Sequence, residues 1–366
     1  MTLTTTLTTF LTTRNAAAVN IPVLQPADPF LDMAGEDLRR RIFLTESETG
    51  NTLCLRPEFT IPVCLDHIAN KAHTPQRYWY VGEVFRQRRE GGNEFYQAGI
   101  EDLGEPDLAR ADARSLADAH ALISAALPNT KTRTSLGDQA VFEAVLAALG
   151  LPRGWRMRLA RAFGVEALLS AALQDLGREV GVSSVDADAA SLISAGDEAA
   201  LASHIALKKK LAGIAPDSGR SPQEIARRMM EKHELTSVRL SPKALAALTE
   251  FLAIHVPLRQ APAALSAFAI KSGLALDEAL ARFSARVEAC VSEGLDLGSI
   301  SYDAAFGRPL DYYTGMVFEL FVDGQPRPLV GGGRYDRLLT LLGAASSIPG
   351  VGFSAWLDRI EQGAAS

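Results

Sequence analysis

Three short stretches of this chain carry side chains able to grip a small charged molecule. In Leu55–Thr60 (LRPEFT) a carboxylate, Glu58, and a hydroxyl, Thr60, stand two residues apart. Pro57 pushes its predecessor toward extended backbone, and from an extended segment residues two apart point the same way. Such a pair suits an ammonium group, although a surface turn at a helix start would read the same. In Glu94–Leu103 (EFYQAGIEDL), Gln97, Gly99 and Glu101 share one face by the two-residue strand period. Gln97 donates and accepts, Glu101 only accepts, and Gly99 leaves room between them, as a strand glycine does where a ligand comes close. The plainer meaning is a solvated sheet face. Arg86 ends the preceding strand-like run. In Arg308–Gly315 (RPLDYYTG) a guanidinium offers its planar fork to a carboxylate, and Tyr312 and Tyr313 form an apolar wall with hydroxyl tips. A structural Arg–Asp pair beside two packed rings is the alternative. Gly331, Gly332 and Gly333 lack the spacing of a phosphate loop. They let backbone approach a flat ligand, though a tight turn is their simpler meaning. Together these stretches predict one pocket for a small, charged, amino-acid-like ligand.

The elements that must position them read as strands at both ends and helices between. Arg77–Arg86 and Glu94–Leu103 flank a polar run with Gly91 and Gly92, the pattern of an antiparallel hairpin. Asp107–Leu127 and Asp138–Leu149 have apolar residues three and four apart, which predicts helices. Leu151–Ile254 is helical almost throughout; Ser221-Pro222-Gln223-Glu224 is a capping box, Ser241-Pro242 opens another helix, and Asp217–Ser221 is an exposed loop. Ile300–Phe306 and Gly315–Val322 are strands, followed by a turn at Asp323-Gly324, a helix over Tyr335–Leu342 and a last helix over Phe353–Gln362. The expectation is an α+β fold: an antiparallel sheet assembled from distant pieces and flanked by helices. The domain organisation that follows is 1–150 and 255–366 as two parts of one domain, with 151–254 as a mostly helical insertion.

Bulk properties narrow the function classes. The chain has 366 residues, 47% hydrophobic and 22% charged, a globular profile. Its 37 basic and 43 acidic residues give a net charge of −6, which argues against a general nucleic-acid surface. Three cysteines without a C-x-x-C pair give no disulfide framework and fit reduced thiols in the cytoplasm. The six histidines lack zinc-ligand spacing, so neither a metal nor a cofactor is expected. Met1–Thr13 is not a convincing signal peptide, and no run is apolar enough to span a membrane.

The blocks LRPEFT, YVGEVFR with FYQAGIE, RPLDYYTGMVFE, LVGGGRYD and PGVGFSAWLDRI, in this order, resemble the catalytic domain of histidyl-tRNA synthetase, a class II synthetase. The resemblance runs from Asn20 to the C-terminus, apart from the helical middle. It implies histidine as ligand, with Glu58 and Thr60 at the α-amino group and Gln97, Arg86 and Arg308 near the carboxylate. It further implies Glu101 facing an imidazole nitrogen, Tyr312 and Tyr313 around the ring, and Gly331–Gly333 as the floor. On this reading Glu101→Ala should abolish histidine binding and leave the fold intact.

The ATP side departs from the synthetase pattern. Arg86, Phe95 and Arg359 match its first arginine, its adenine-stacking aromatic and its last arginine. But the hairpin loop is shorter, Arg88 stands where that pattern is acidic, Trp356 and Pro309 stand where it has glycine, and no anticodon-binding domain follows Arg359 before Ser366. A histidine site kept beside an altered ATP site resembles the regulatory-subunit family of short-form ATP phosphoribosyltransferase, the first enzyme of histidine biosynthesis. That resemblance implies a non-catalytic chain that activates a separate catalytic subunit, conveys feedback by histidine, self-dimerises and joins a hetero-octamer. The proline-bearing Asn20–Phe30 stands where the class II dimer motif would be, as an interface strand or a surface loop. The rival expectation is a truncated synthetase-like enzyme that adenylates histidine.

Overall fold

The computed structural model describes residues 2–33, 35–89, 91–128, 130–177, 187–213, 220–237, 240–308, 310, 312–323 and 325–364. The expectations for Pro309, for Gly324 and for most of the loop before Ser221 lie outside these residues.

Twelve strands are described: β1 Ala17–Ala18, β2 Leu24–Pro26, β3 Leu44–Glu46, β4 Thr52–Leu55, β5 Gln76–Phe85, β6 Glu94–Leu103, β7 Thr132–Asp138, β8 His255–Pro257, β9 Ile300–Asp303, β10 Met316–Val322, β11 Val330–Arg334 and β12 Gly350–Trp356. Nine form one sheet in the order β1, β5, β6, β12, β11, β10, β7, β9, β8. It is antiparallel except at β1 with β5 and at β7 with β9. β2, β4 and β3 form a small second sheet, so Leu24–Pro26 of the proline-bearing segment is a strand, and Phe30 behind it is fully buried. The sheet does draw on distant pieces: β6, in the first third of the chain, pairs along its length with β12 near the end.

The hairpin is the two long strands expected. They pair in register from Gln76 opposite Leu103 to Phe85 opposite Glu94. One face of the sheet, carrying Ile100, Phe353, Gly332 and Phe318 at alternating positions, is buried. The helix Leu108–Ala126 begins at Asp107, whose side chain accepts the Arg110 N–H at 3.0 Å. That bond satisfies one of the orphan donors at a helix start. Asp107→Ala should therefore cost about 1 kcal/mol in urea denaturation.

Two ends were misjudged from sequence. Phe353–Trp356 is strand, and the last helix starts only at Leu357; Phe353, Trp356, Leu357 and Ile360 stand three and four residues apart, so the apolar pattern runs on across the boundary as a helix would. Likewise the stretch after the glycine run turns helical only over Leu338–Leu341.

Residues Leu146–Ala162 and Glu166–Leu248 form a second compact unit. It is built of helices, among them Arg153–Ala162, Glu166–Gly177, Glu198–Leu211 and Pro222–Ser237. The expected caps are present, with Ser221 accepting from the Glu224 N–H at 3.1 Å and Ser241 from the Ala244 N–H at 3.2 Å. Among the described residues no helix is long and apolar enough to cross a membrane, and no cluster of His, Cys, Asp or Glu could hold a metal ion.

Candidate amino-acid-binding site

The site occupies the other face of the large sheet. Gln97, Gly99 and Glu101 on β6 stand opposite Trp356, Ser354 and Gly352 on β12. Ser354 and Gly352 in turn face Gly331 and Gly333 on β11. The two-residue period puts all of these on one side. Small residues fill the middle of that face and leave a pocket, walled by Glu58, Thr60, Arg86, Arg308, Tyr312 and Tyr313.

Glu58 sits at the start of the helix Thr60–Ala69, so Leu55–Thr60 is a helix entrance and yet buried rather than a surface turn. Its carboxylate accepts the backbone N–H groups of Thr60 at 2.6 Å and Ile61 at 2.9 Å. Burial pushes its pKa up, and those two N–H groups with Arg86 oppose the rise. A carboxylate at a helix N-terminus is well placed, and its remaining lone pairs are available to an ammonium group. Gln97 is 1% exposed, and its Oε1 is buried without a hydrogen-bond partner. An orphan of this kind inside a pocket calls for a donor from a ligand or a water.

Arg86 donates from Nε to the Pro57 carbonyl at 2.7 Å. Burial lowers its pKa to about 10, with Glu58 opposing. Arg308 donates to Glu319 at 3.2 Å and to the Tyr313 hydroxyl. Burial disfavours its charge, but Tyr313, Glu319 and Tyr312 outweigh that and hold its pKa above the ordinary value. A Cβ on residue 331 would lie 2.4 Å from the Arg308 guanidinium, which is why that position is glycine. Arg86, Arg308 and the Glu58 carboxylate line the same pocket, and charges of both signs suit a zwitterion.

Glu101 lies beneath the pocket, fully buried. It accepts hydrogen bonds from Thr60 Oγ1 at 2.8 Å, from the Tyr80 hydroxyl at 3.2 Å and from the Tyr335 hydroxyl. Burial raises its pKa to about 8, against those donors. The expectation that Glu101→Ala spares the fold therefore needs correction, because truncation would strand these hydroxyls.

Two further corrections concern glycines. The space beside Gly99 is taken by the chain itself: a Cβ there would be 2.5 Å from the Tyr80 hydroxyl and 2.1 Å from the Phe353 carbonyl. Gly331–Gly333 form a strand, not a turn. Only Gly331 reaches the pocket; Gly333 makes room for the Tyr313 ring, and Gly332 faces Phe318 and Phe353 on the opposite side.

Sequence reasoning missed Tyr80 and Tyr335, which hold Glu101, and the stack that fixes Tyr80. Arg56 lies 4.1 Å over Phe59, and Phe59 stacks on Tyr80 with centroids 4.2 Å apart. Pairing Tyr80 with Gly99 across the hairpin would have revealed the first, since a large ring beside a glycine fills its gap.

The ATP-side departures also have positions. Arg88 stacks on Phe95, with Cζ 3.3 Å from the ring centroid, and donates to Asp358 at 2.8 Å. Trp356 faces into the pocket rather than outward, with Arg359 4.2 Å and Arg308 6.0 Å from its centroid.

The chain matches the family described as Histidyl-tRNA synthetase over residues 4–229 and 223–360. It is 66% identical over 348 residues to an ATP phosphoribosyltransferase regulatory subunit of Mesorhizobium japonicum, covering 95% of this chain and 93% of that one. A regulatory subunit of the same description from Rhizobium meliloti is 58% identical over 356 residues, covering 96% and 94%. In fold, the chain is similar to an ATP phosphoribosyltransferase regulatory subunit/histidyl-tRNA synthetase from Bacillus halodurans (TM-score 0.64, 19% identity, 98% of this chain and 77% of that one). It is also similar to a histidine–tRNA ligase subunit from Alicyclobacillus acidocaldarius (TM-score 0.59, 24% identity, 98% and 90%). A class II synthetase-like sheet, with the pocket on one face, and relatives this similar over nearly their whole length place the chain in the family of histidyl-tRNA-synthetase-like ATP phosphoribosyltransferase regulatory subunits.

Proposed function

We propose that this chain binds free histidine in the pocket on the β6/β12/β11 face and, through it, adjusts the activity of a separate short-form ATP phosphoribosyltransferase catalytic chain at the first step of histidine biosynthesis. The observation that carries the reading is the pocket itself. Glu58 and the orphaned Gln97 Oε1 offer acceptors, Arg86 and Arg308 offer cations, and the tyrosines wall the rest. This matches an α-amino group, an α-carboxylate and a flat polar ring. The names of the relatives supply the partner.

Activation and feedback are then linked equilibria. Histidine must bind unequally to two states of the assembled complex, and a coupling of about 1–3 kcal/mol is typical of such linkage. The assembly is a hetero-octamer built around a dimer of this chain, working in the cytoplasm without a cofactor, a nucleic acid or a membrane.

The test is reconstitution. The purified chain, mixed with a short-form catalytic chain, should raise phosphoribosyl-ATP formation and make it sensitive to histidine, and light scattering should give one large complex. Rapid ATP–pyrophosphate exchange driven by histidine in the chain alone would instead establish the adenylating enzyme. Retention of Arg86, Phe95, Arg308 and Arg359 is the observation on that side.

A further inference from the structure

We propose that Ser301, His255 and Asp303 are a nucleophile, its base and the group that orients the base, and that Ser301 takes the acyl group of small activated carboxylic esters. The site is separate from the amino-acid pocket. It lies at the far edge of the large sheet, with β10 and β7 between it and β11, the strand that carries Gly331.

Strands β8 and β9 bring the three residues together. His255 stands opposite Asp303, and Pro257 opposite Ser301. The Ala304 N–H is bonded to the Ile254 carbonyl. By the alternation of an antiparallel ladder, His255 and Asp303 are then a pair without ladder bonds, the kind whose side chains come closest. Ile300 and Tyr302 are buried in the core, so the two-residue period turns Ser301 and Asp303 to the other face. There His255 Nε2 lies 3.0 Å from Ser301 Oγ, and Nδ1 lies 3.5 Å from Asp303 Oδ2. Asp303 Oδ1 accepts the Ala305 N–H at 2.9 Å, which fixes the carboxylate. A carboxylate beside Nδ1 favours the ring proton there and leaves the Nε2 lone pair to accept from the serine hydroxyl. Pro257, across from the serine, brings no N–H and no polar side chain to compete. A solvated strand edge needs any two of these groups; serine, imidazole and carboxylate in this order are what activates a hydroxyl. β8 is the outermost strand and the His255 side chain is 65% exposed, so a small ester meets the site from solvent.

The reaction has two steps. Ser301 Oγ bonds to the ester carbonyl carbon as its proton passes to His255 Nε2. The bond from that carbon to the leaving oxygen breaks, and the alcohol or phenol departs. Water then attacks the acyl carbon and gives a proton to Nε2, the acid is released, and the proton returns to Oγ. Asp303 touches no reacting atom; it is a positioning residue that holds the imidazole and favours its charged form.

The experiment treats the intact chain with p-nitrophenyl acetate, follows p-nitrophenolate by absorbance, and locates acetyl groups by peptide mass spectrometry after an acid quench. Ser301 should be acetylated about a hundredfold or more faster than the other exposed serines, the scale of general-base assistance. Ser301→Ala should abolish the initial burst of p-nitrophenolate. His255→Gln should slow acetylation of Ser301 about a hundredfold. Asp303→Asn should slow it as well, and Asp303→Glu should restore part of the rate, which a merely structural role would not do. Circular dichroism of every variant should match the natural chain. Acetyl groups found on lysines or on His255 with Ser301 unmodified overturn the proposal. So does p-nitrophenolate release that persists unchanged in Ser301→Ala, since the imidazole would then be the nucleophile. Acetylation of Ser301 at the same rate in His255→Gln overturns it too.

Discussion

Asp112→Ala should lower the stability of the chain by roughly 3–5 kcal/mol, the range for removing one partner from a buried ion pair. Asp112 is fully buried in the helix Leu108–Ala126 and is shared by two arginines. Arg286 Nε donates to one oxygen at 2.6 Å, and Arg334 Nε to the other at 2.7 Å. Arg286 also reaches Asp138, and Arg334 reaches Asp336 at 2.7 Å and the Leu108 carbonyl at 3.0 Å. Without Asp112, two buried guanidiniums lose their common counter-charge. Burial works against both arginines, yet each has its pKa raised by these carboxylates, so the network holds them charged. Urea denaturation followed by circular dichroism measures the loss; a change under about 1 kcal/mol would show the ion cluster to be dispensable. Because Arg334 ends β11, which carries Gly331 into the pocket, histidine binding should weaken in parallel.

The second large effect belongs to Glu101. Glu101→Ala should cost on the order of 3 kcal/mol in stability and remove histidine binding, since it strands the hydroxyls of Thr60, Tyr80 and Tyr335. Glu101→Gln is the informative companion. Burial raises this carboxyl from 4.5 to about 8. Between those values the folded chain keeps a proton that the unfolded chain has released. Its stabilising contribution is therefore complete below about 4.5 and is lost as pH rises through about 8. Stability of the natural chain should fall across that window more steeply than that of Glu101→Gln, which has no proton to lose. Glu58, also raised by burial, contributes a slope of the same sign to both proteins and cancels in the difference. Equal slopes would show that Glu101 is ionised throughout.

Much of this site was legible because a strand repeats every two residues. Gln97, Gly99 and Glu101 were expected on one face, and they are. The helix starts at Ser221 and Ser241 were legible for a similar reason, as local bonds between near neighbours. What could not be read was which segment lies across from which. Gly99 looked like room for a ligand because Tyr80 opposite it was unknown. The glycine run looked like a turn because its neighbours Phe318, Tyr313 and Arg308 were unknown. Trp356 could have faced outward until β12 was paired with β6. In each case the missing quantity was a non-local register, which one strand's own periodicity does not contain.

That β6 pairs with β12 across most of the chain has a consequence for biogenesis. Glu58, Gln97 and Arg86 leave the ribosome early, whereas Arg308, Gly331 and Trp356 emerge near the end, after the helical unit. Contacts so distant in sequence carry a large loop-closure cost and form late. The nascent chain accordingly exposes the edge of β6 throughout synthesis of the helical unit, and no effector can stabilise it during that interval. A ligand that needs both halves of the pocket can protect the chain only once β12 has been made, so the vulnerable period for aggregation or proteolysis is the time taken to translate from β6 to β12.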